Sequence, residues 1–261
     1  INRKKTILCY VVCSVPPIFG FVIPVIILVS NGLYAFDYEP TNTFIQPFLN
    51  SIFVSFLSAV FVVFFSFFIV SYSHESKSKY IKLLAGISST GYAFPGTMLA
   101  IGVVIFIGFL DDTISLVDNY VLQIPDYFYF GGTFFVLLFA YVVRFQAIGF
   151  GALSSGLQKI PQNLFSASRC LGKSFTGTTF KITLPLLFPF LLAGGLLVFV
   201  DTMKELPMTL LLRPFNFETL ATQAYQYAHS ELMAEASVPA LLIIASGLVP
   251  VFLMNKLMRE V

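Results

Sequence analysis

The side chains best suited to chemistry form a short charged run, Asp201, Lys204 and Glu205, which ends two residues before Pro207. On a helix, Asp201 and Glu205 stand one turn apart, so both carboxylates would lie on one face. Carboxylate oxygens are the ligands that a hard multivalent cation prefers, but they also suit an ordinary ion pair with Lys204. We therefore expect either a gate or path that contacts a cation transiently, with Pro207 stopping the helix, or an ion-paired helix end.

Other kinds of site lack the residues they need. His74 and His229 are the only histidines, and their separation gives no histidine pair for a metal. The sequence has no glycine-rich nucleotide-binding loop and no nucleophile in a Ser/His/Asp setting. The three cysteines suggest no disulfide framework. These patterns predict a protein that is not an enzyme and has no cofactor.

The composition explains where such a charged run must be held. Of the 261 residues, 57% are hydrophobic and 11% are charged, whereas soluble domains carry roughly 25% charged residues. The net charge of +2 is too small to suggest nucleic acid as a partner. Apolar runs near the roughly 20 residues that cross a bilayer predict an all-α membrane protein, a single domain over residues 1–261. The six predicted spans are about 7–30, 48–72, 92–110, 128–145, 185–203 and 238–254.

The charges separate cleanly when both termini are placed in the cytoplasm. That topology puts 13 of the 15 basic residues inside and 11 of the 13 acidic residues outside, as the positive-inside rule requires. It assigns Arg144 to the inside and the Asp201 to Glu205 run to the outer end of the fifth span.

A basic segment between the fourth and fifth spans, within a predicted cytoplasmic loop of about 151–184, carries the clearest spacing. It contains Ser166-Ala167-Ser168, three residues, Gly172, nine residues, and then Ile182-Thr183-Leu184-Pro185. This resembles the cytoplasmic loop of binding-protein-dependent ABC importer permeases, in which Glu-Ala-Ala precedes the same glycine, isoleucine, leucine and proline register. Ser166 stands where that family has its glutamate, and Ser168 where it has the second alanine.

The resemblance implies that this loop forms a coupling helix seated in a cytoplasmic ATPase subunit. It further implies a location in a bacterial inner membrane and a type I permease fold. The implied partners are a second permease half, two ATPase subunits, an extracytoplasmic substrate-binding protein and surrounding membrane lipid. Without the glutamate, we expect coupling to depend on shape and on Arg169 and Lys173. The alternative for the segment alone is a basic amphipathic loop lying on anionic lipid.

A second resemblance concerns the substrate. The stretch from Asp201 to Thr222, with Asp-x-x-Lys-Glu-Leu-Pro and Leu-Leu-Arg-Pro, is similar to ferric iron ABC permeases, and residues 92–96 resemble the start of the third span in that group. Ferric-type permeases are similar to two fused six-span halves, of which this chain would be the C-terminal one. Ferric iron is the expected substrate, with polyamine, sulfate or thiamine as alternatives. A secondary transporter without an ATPase would need an ionisable residue buried in mid-span, and none is expected here.

Overall fold

The computed structural model describes residues 3–35, 42–76, 78–117 and 130–259. All regular elements in these ranges are helices, and no strand is present in them. The predicted start of the fourth span at residue 128 lies outside the described residues. The α-helices are α1 Arg3–Pro17, α2 Ile23–Ala35, α3 Asn42–Glu75, α4 Lys79–Ser88, α5 Gly96–Val117, α6 Phe134–Gln158, α7 Gln162–Cys170, α8 Phe175–Thr178, α9 Leu184–Met203, α10 Pro207–Leu212, α11 Leu220–His229 and α12 Met233–Arg259.

Six helical stretches in the described residues are long and apolar enough to cross a membrane. The all-α fold and the number of spans predicted from the sequence are therefore confirmed. The first stretch is continuous because a π-helical turn, Ile18–Val22, joins α1 to α2. The six candidate spans are Lys5–Ala35, Thr43–Glu75, Gly96–Leu116, Phe134–Gln158, Phe175–Met203 and Met233–Phe252.

Helices α3, α6 and α9 pack against one another in the centre of the fold. Small residues allow the close approach, as is usual between membrane helices. A Cβ atom on Gly149 would lie 2.5 Å from Ser66 Oγ of α3, and one on Gly156 would lie 2.4 Å from the Phe190 ring of α9. Helix α12 packs on α2, α9 and α11, so the first span joins the bundle at its edge.

Several predicted boundaries differ from the structure. Helix α6 ends at Gln158 rather than at residue 145, because Gly149 and Gly156, which lower the hydropathy of its second half, pack against α3 and α9. The fifth span begins at Phe175 rather than at Pro185. Pro185 has no N–H to donate, and the helix passes this point through a π-helical turn, Thr179–Thr183. The loop predicted at about 151–184 is thus shortened at both ends.

A separate short helix, α4, precedes the third span. Helix α4 ends at Ser88, a short 3-10 turn occupies Gly91–Ala93, and α5 begins at Gly96, so the start predicted at residue 92 lies within the break. Gly86 and Phe150 line one cavity, and further along the chain Gly91 lies against Val143. The segment that contains α4 therefore runs antiparallel to α6. Helix α5 continues to Val117 rather than residue 110.

Candidate functional site

Arg144 of α6 meets residues from two other segments near the middle of the bundle. It lies ten residues after the start of α6 and fourteen before its end, about 15 Å and 21 Å at 1.5 Å per residue. Its Nη2 atom is 3.8 Å from Oε2 of Glu205. The sequence prediction placed Arg144 on the cytoplasmic side and Glu205 on the outer side. The two assignments cannot both hold, because the two side chains lie at the same depth.

We call the residues around this pair the mid-depth cluster: Tyr92, Arg144, Asp201, Lys204 and Glu205. Helix α9 ends at Met203, so the fifth span stops at the level of Arg144. The sequence analysis expected Pro207 to stop this helix. In the structure α9 ends four residues earlier, and Pro207 begins α10, where its missing N–H costs no hydrogen bond. The cluster therefore lies where the third span begins and the fifth span ends.

Two glycines allow the segment between α4 and α5 to approach α6. A Cβ atom on Gly91 would lie 2.1 Å from the carbonyl oxygen of Val143, and one on Gly96 would lie 2.2 Å from Nη1 of Arg144 and 2.8 Å from Oε1 of Glu205. Real Cβ contacts do not reach such distances, so only glycine fits at either position without displacing a neighbour. The sequence pattern Tyr-Ala-Phe-Pro-Gly is thus a close-packing device beside the charges.

Hydrogen bonds satisfy the backbone of the interrupted fifth span. Thr209 Oγ1 donates to the carbonyl oxygen of Glu205 at 2.6 Å, and the Met208 N–H donates to Glu205 Oε1 at 3.3 Å. The buried Tyr141 hydroxyl is hydrogen-bonded to the Thr209 hydroxyl. Irregular backbone at membrane depth is tolerated only where protein or a water-filled cavity satisfies it, and here the partners are protein groups.

The two acidic residues of the charged run have different surroundings. Asp201 Oδ1 accepts a hydrogen bond from Lys204 Nζ at 2.8 Å, and the Lys204 side chain is 60% exposed. Glu205 is buried and faces Arg144, whose side chain is 15% exposed. The ion-paired helix end expected as one alternative is present for Asp201. Glu205 instead belongs to an interior pair that the sequence did not indicate.

Arg144 is the residue that sequence reasoning missed. No ionisable side chain was expected in mid-span, and Arg144 contradicts that expectation. The fourth span was predicted to end at residue 145, which made Arg144 a terminal residue. The small residues after it, such as Gly149 and Ala152, were the available signal, because they extend a helix that packs closely.

No group of three or more His, Cys, Asp or Glu side chains that could hold a metal ion occurs in residues 3–35, 42–76, 78–117 and 130–259. Both carboxylates of the mid-depth cluster are already engaged by cationic side chains. A multivalent cation would have to displace Lys204 or Arg144 to reach them. The arrangement therefore suits brief contact more than stable coordination.

The segment with the loop motif forms a short helix, α7, closed by Gly172. The Lys173 N–H donates to the carbonyl oxygen of Ser168 and the Gly172 N–H to that of Arg169, at 3.1 Å and 2.9 Å. This is a Schellman cap, in which the residue after the helix adopts a left-handed conformation. Gly172 has a φ of 77°, a value that glycine adopts without strain.

Helix α7 is fastened to two spans through the motif residues. The Ser168 hydroxyl is buried and lies 2.8 Å from the Thr178 hydroxyl of α8. Arg169 forms an ion pair with Glu75 at the end of α3 and keeps 58% of its side chain exposed, so its contact with an ATPase subunit stays a prediction. Phe165 is buried and its ring lies 5.3 Å from that of His74.

The exposed side of α7 differs from the predicted contact set. Ser166, Ala167 and Lys173 are exposed, while Ile182 and Leu184 are partly buried within the fifth span and Pro185 is exposed there. Leu171, which the motif does not include, has 82% of its surface exposed beside the cap. Leu171, Ser166, Ala167 and Lys173 thus belong to the part of this segment that the rest of the described chain leaves uncovered.

Comparison with known proteins gives the wider context. The family model for binding-protein-dependent transport system inner membrane components matches residues 69–259. An Fe(3+)-transport system permease protein of Haemophilus influenzae is 30% identical over 124 residues, which are 48% of this chain and 24% of that protein. A Salmonella typhimurium protein named as a 2-aminoethylphosphonate transport system permease is 27% identical over 128 residues, 49% of this chain and 47% of that protein. This chain therefore matches between about a quarter and about half of the length of these relatives.

Solved structures show the same fold. A chain of the bacterial alginate ABC transporter, in complex with an alginate pentasaccharide-bound periplasmic protein, superposes with a TM-score of 0.76 at 16% identity, over 100% of this chain and 96% of that one. A chain of the MetNI methionine ABC transporter gives a TM-score of 0.62 at 14% identity, over 84% and 99%. The family match covers well over half of the sequence, so this chain belongs to the family of binding-protein-dependent transport system inner membrane components.

Proposed function

We propose that the chain is one permease half of an ATP-driven importer in a bacterial inner membrane. In this proposal the six spans form a single domain that pairs with a second, similar half around a translocation path. Two cytoplasmic ATPase subunits bind the α7 loops, and an extracytoplasmic binding protein delivers the substrate. Membrane lipid surrounds the pair, and both ends of this chain face the cytoplasm.

The observation that carries the proposal is the exposed Lys204 side chain near mid-depth, which is paired with the partly buried Asp201. An ionic pair in contact with hydrocarbon is costly, and such residues in membrane proteins face water or protein. Lys204 points back along α9 to Asp201 rather than toward the end of the bundle, so it does not escape to the interface. The face that carries it is therefore best explained as the wall of an aqueous path between two halves.

The second support is the way α7 is fastened. Ion pairing to α3 and hydrogen bonding to α8 mean that a displacement of α7 moves two central spans. The fifth span leads directly to the break beside Glu205. ATP-driven closure of the ATPase pair would thus be transmitted from α7 through α9 to the mid-depth cluster, alternating access to the path.

A co-purification experiment tests the coupling role. We expect an ATP-hydrolysing subunit to co-purify with the wild type and to be lost on Leu171→Asp or Gly172→Trp. Leu232→Asp is the matched control, because Leu232 is also an exposed leucine but lies between α11 and α12. Uptake by the permease without any ATPase would contradict the proposal and favour a secondary transporter.

Orientation has its own test at Cys170, an exposed thiol in α7. A membrane-impermeant maleimide should label it in inside-out vesicles and not in intact cells, with Cys170→Ser as the control. Labelling in intact cells would reverse the proposed topology. The other two cysteines, Cys9 and Cys13, lie within the first span.

Ferric iron is the substrate to test first. The proposal rests on the Asp201 to Pro207 pattern and on the similarity to the Haemophilus permease. Uptake of labelled ferric iron would be compared with that of spermidine, sulfate, thiamine and 2-aminoethylphosphonate, the last because of the Salmonella relative. Asp201→Asn and Glu205→Gln should reduce uptake with the ATPase intact, and unchanged uptake in both would remove the gate from the proposal.

A further inference from the structure

The Arg144 guanidinium has donors without good acceptors. Its closest carboxylate oxygen is 3.8 Å away, which is beyond hydrogen-bond distance. Its Nη1 donates to the thioether sulfur of Met208 at 3.7 Å, a weak acceptor. Within the described part of the chain, the Nε atom is buried and has no hydrogen-bond partner. Buried donors are normally satisfied, so this guanidinium is incompletely used by its own protein.

Its position is nevertheless fixed. The guanidinium carbon lies 5.8 Å from the ring centroids of both Tyr92 and Phe145, distances at which cation–π attraction holds an arginine in place. Gly96 leaves the space that its Nη1 occupies. An arginine that is held without its hydrogen bonds being filled is preorganised for a planar, bidentate acceptor.

Of the two cationic side chains in the mid-depth cluster, Arg144 is the one with the weaker partner. Lys204 is 60% exposed but lies 2.8 Å from its partner, Asp201, whereas the carboxylate opposite Arg144 is 3.8 Å away. An incoming oxyanion could therefore pair with Arg144, and a bare multivalent cation would be repelled by it. Glu205 is the carboxylate that now stands opposite Arg144, and it would compete with any incoming oxyanion.

We propose that Arg144 binds an oxyanion group of the transported substrate, in competition with Glu205. The inference rests on the proposed translocation role and adds the substrate class. The cargo would be an oxyanion itself, such as a phosphonate or sulfate, or a metal ion that carries a carboxylate or phosphate ligand. A lysine at this position would supply the charge without the bidentate fork.

The test uses the full-length permease purified with its partner subunits in detergent, without ATP. Thermal unfolding is followed while sodium sulfate or sodium methylphosphonate replaces sodium chloride at constant ionic strength. We expect the oxyanions to raise the unfolding temperature, and Glu205→Gln to lower the half-saturating concentration about tenfold, the equivalent of one charged hydrogen-bond interaction. Because sulfate stabilises folded proteins in general, binding is read from the saturable part of the shift. Arg144→Gln should abolish that part, and Arg144→Lys should weaken it.

The direction of the Glu205 effect separates substrate binding from a merely structural ion pair. If the ion pair is merely structural, Glu205→Gln and Arg144→Gln should both lose the rise in unfolding temperature that oxyanions cause. That result would overturn the inference. So would the absence of any rise in both the wild type and Glu205→Gln. The control is Lys159→Gln, because Lys159 lies at the end of α6 over the Phe190 ring and should leave the response unchanged. Binding is measured without ATP and without uptake. A failure of ATPase coupling would therefore contradict the proposed function, but the oxyanion-binding result could still be interpreted.

Discussion

The chain interrupts its helices in two contrasting places, the loop with α7 and the mid-depth cluster. At α7 the interruption lies at an end of the bundle, and a local Schellman cap satisfies part of the backbone. At mid-depth the charges and the end of α9 find partners through α6 and α10, which are far apart in sequence. At the exposed α7 loop, local residues are enough to end the helix, so the site can be recognised as a sequence motif. In the interior, the partners must come from other helices, so the mid-depth cluster depends on the tertiary structure.

The largest expected effect tests the close packing at mid-depth. Gly91→Ala should destabilise the protein by about 2 kcal/mol, because the new Cβ would lie 2.1 Å from a backbone oxygen that cannot move independently. Gly108→Ala is the matched control, since nothing lies within 4 Å of its position in α5. Thermal unfolding in detergent measures both. Equal unfolding temperatures for the two variants would mean that the third span does not approach α6 as described.

A smaller effect is expected at the α7 cap. Gly172→Ala has room for its methyl group but must hold a left-handed conformation, which costs about 1 kcal/mol. Because α7 can open by itself, we expect its amides to exchange about fivefold faster while the global unfolding temperature changes little. Gly172→Asn should exchange more slowly than Gly172→Ala, since asparagine tolerates this conformation better. A global loss of stability would contradict the separation between the two regions.

The Glu75–Arg169 pair should contribute less still. The Arg169 side chain is 58% exposed, and exposed ion pairs contribute about 0 to 1 kcal/mol in double-mutant cycles. We expect a cycle with Glu75→Ala and Arg169→Ala to give a coupling energy in that range, measured by unfolding. ATPase activity stimulated by substrate should nevertheless fall in both single variants, because α7 loses its tie to α3. A coupling energy well above this range would contradict the prediction, because the exposed pair would then contribute as much stability as a buried one.

A pH dependence is expected from Glu218, which pairs with Arg213 before α11. Burial opposes its ionisation, but hydrogen bonds from Arg213, Thr222 and Gln226 outweigh that effect, so the pKa of Glu218 is lowered. Its stabilisation is therefore fully present above the ordinary carboxyl pKa and is lost as the pH falls through the lowered value. Wild type and Glu218→Gln should differ in unfolding temperature near neutral pH and converge in acid. A constant difference across this range would contradict the assignment.

Much of the fold was predictable because hydrophobic length and turn chemistry are local. Six apolar runs gave six spans, and the spacing to Gly172 identified the residue that ends α7. The boundaries were less predictable, because a glycine such as Gly149 lowers hydropathy but packs inside a membrane bundle. Pro207 was likewise ambiguous, since proline can end one helix or begin the next.

The sequence by itself determined the family resemblance, the number of spans and the exposed motif of α7, since each depends on neighbouring residues and on solvent. Only the tertiary structure decided that Arg144 and Glu205 are partners, although they are 61 positions apart in the chain. A charge in a low-dielectric interior is stable only beside a group that compensates it, and the fold chooses that group. The environment of Glu205 in the charged run before Pro207 is therefore set by Arg144, an arginine on another span.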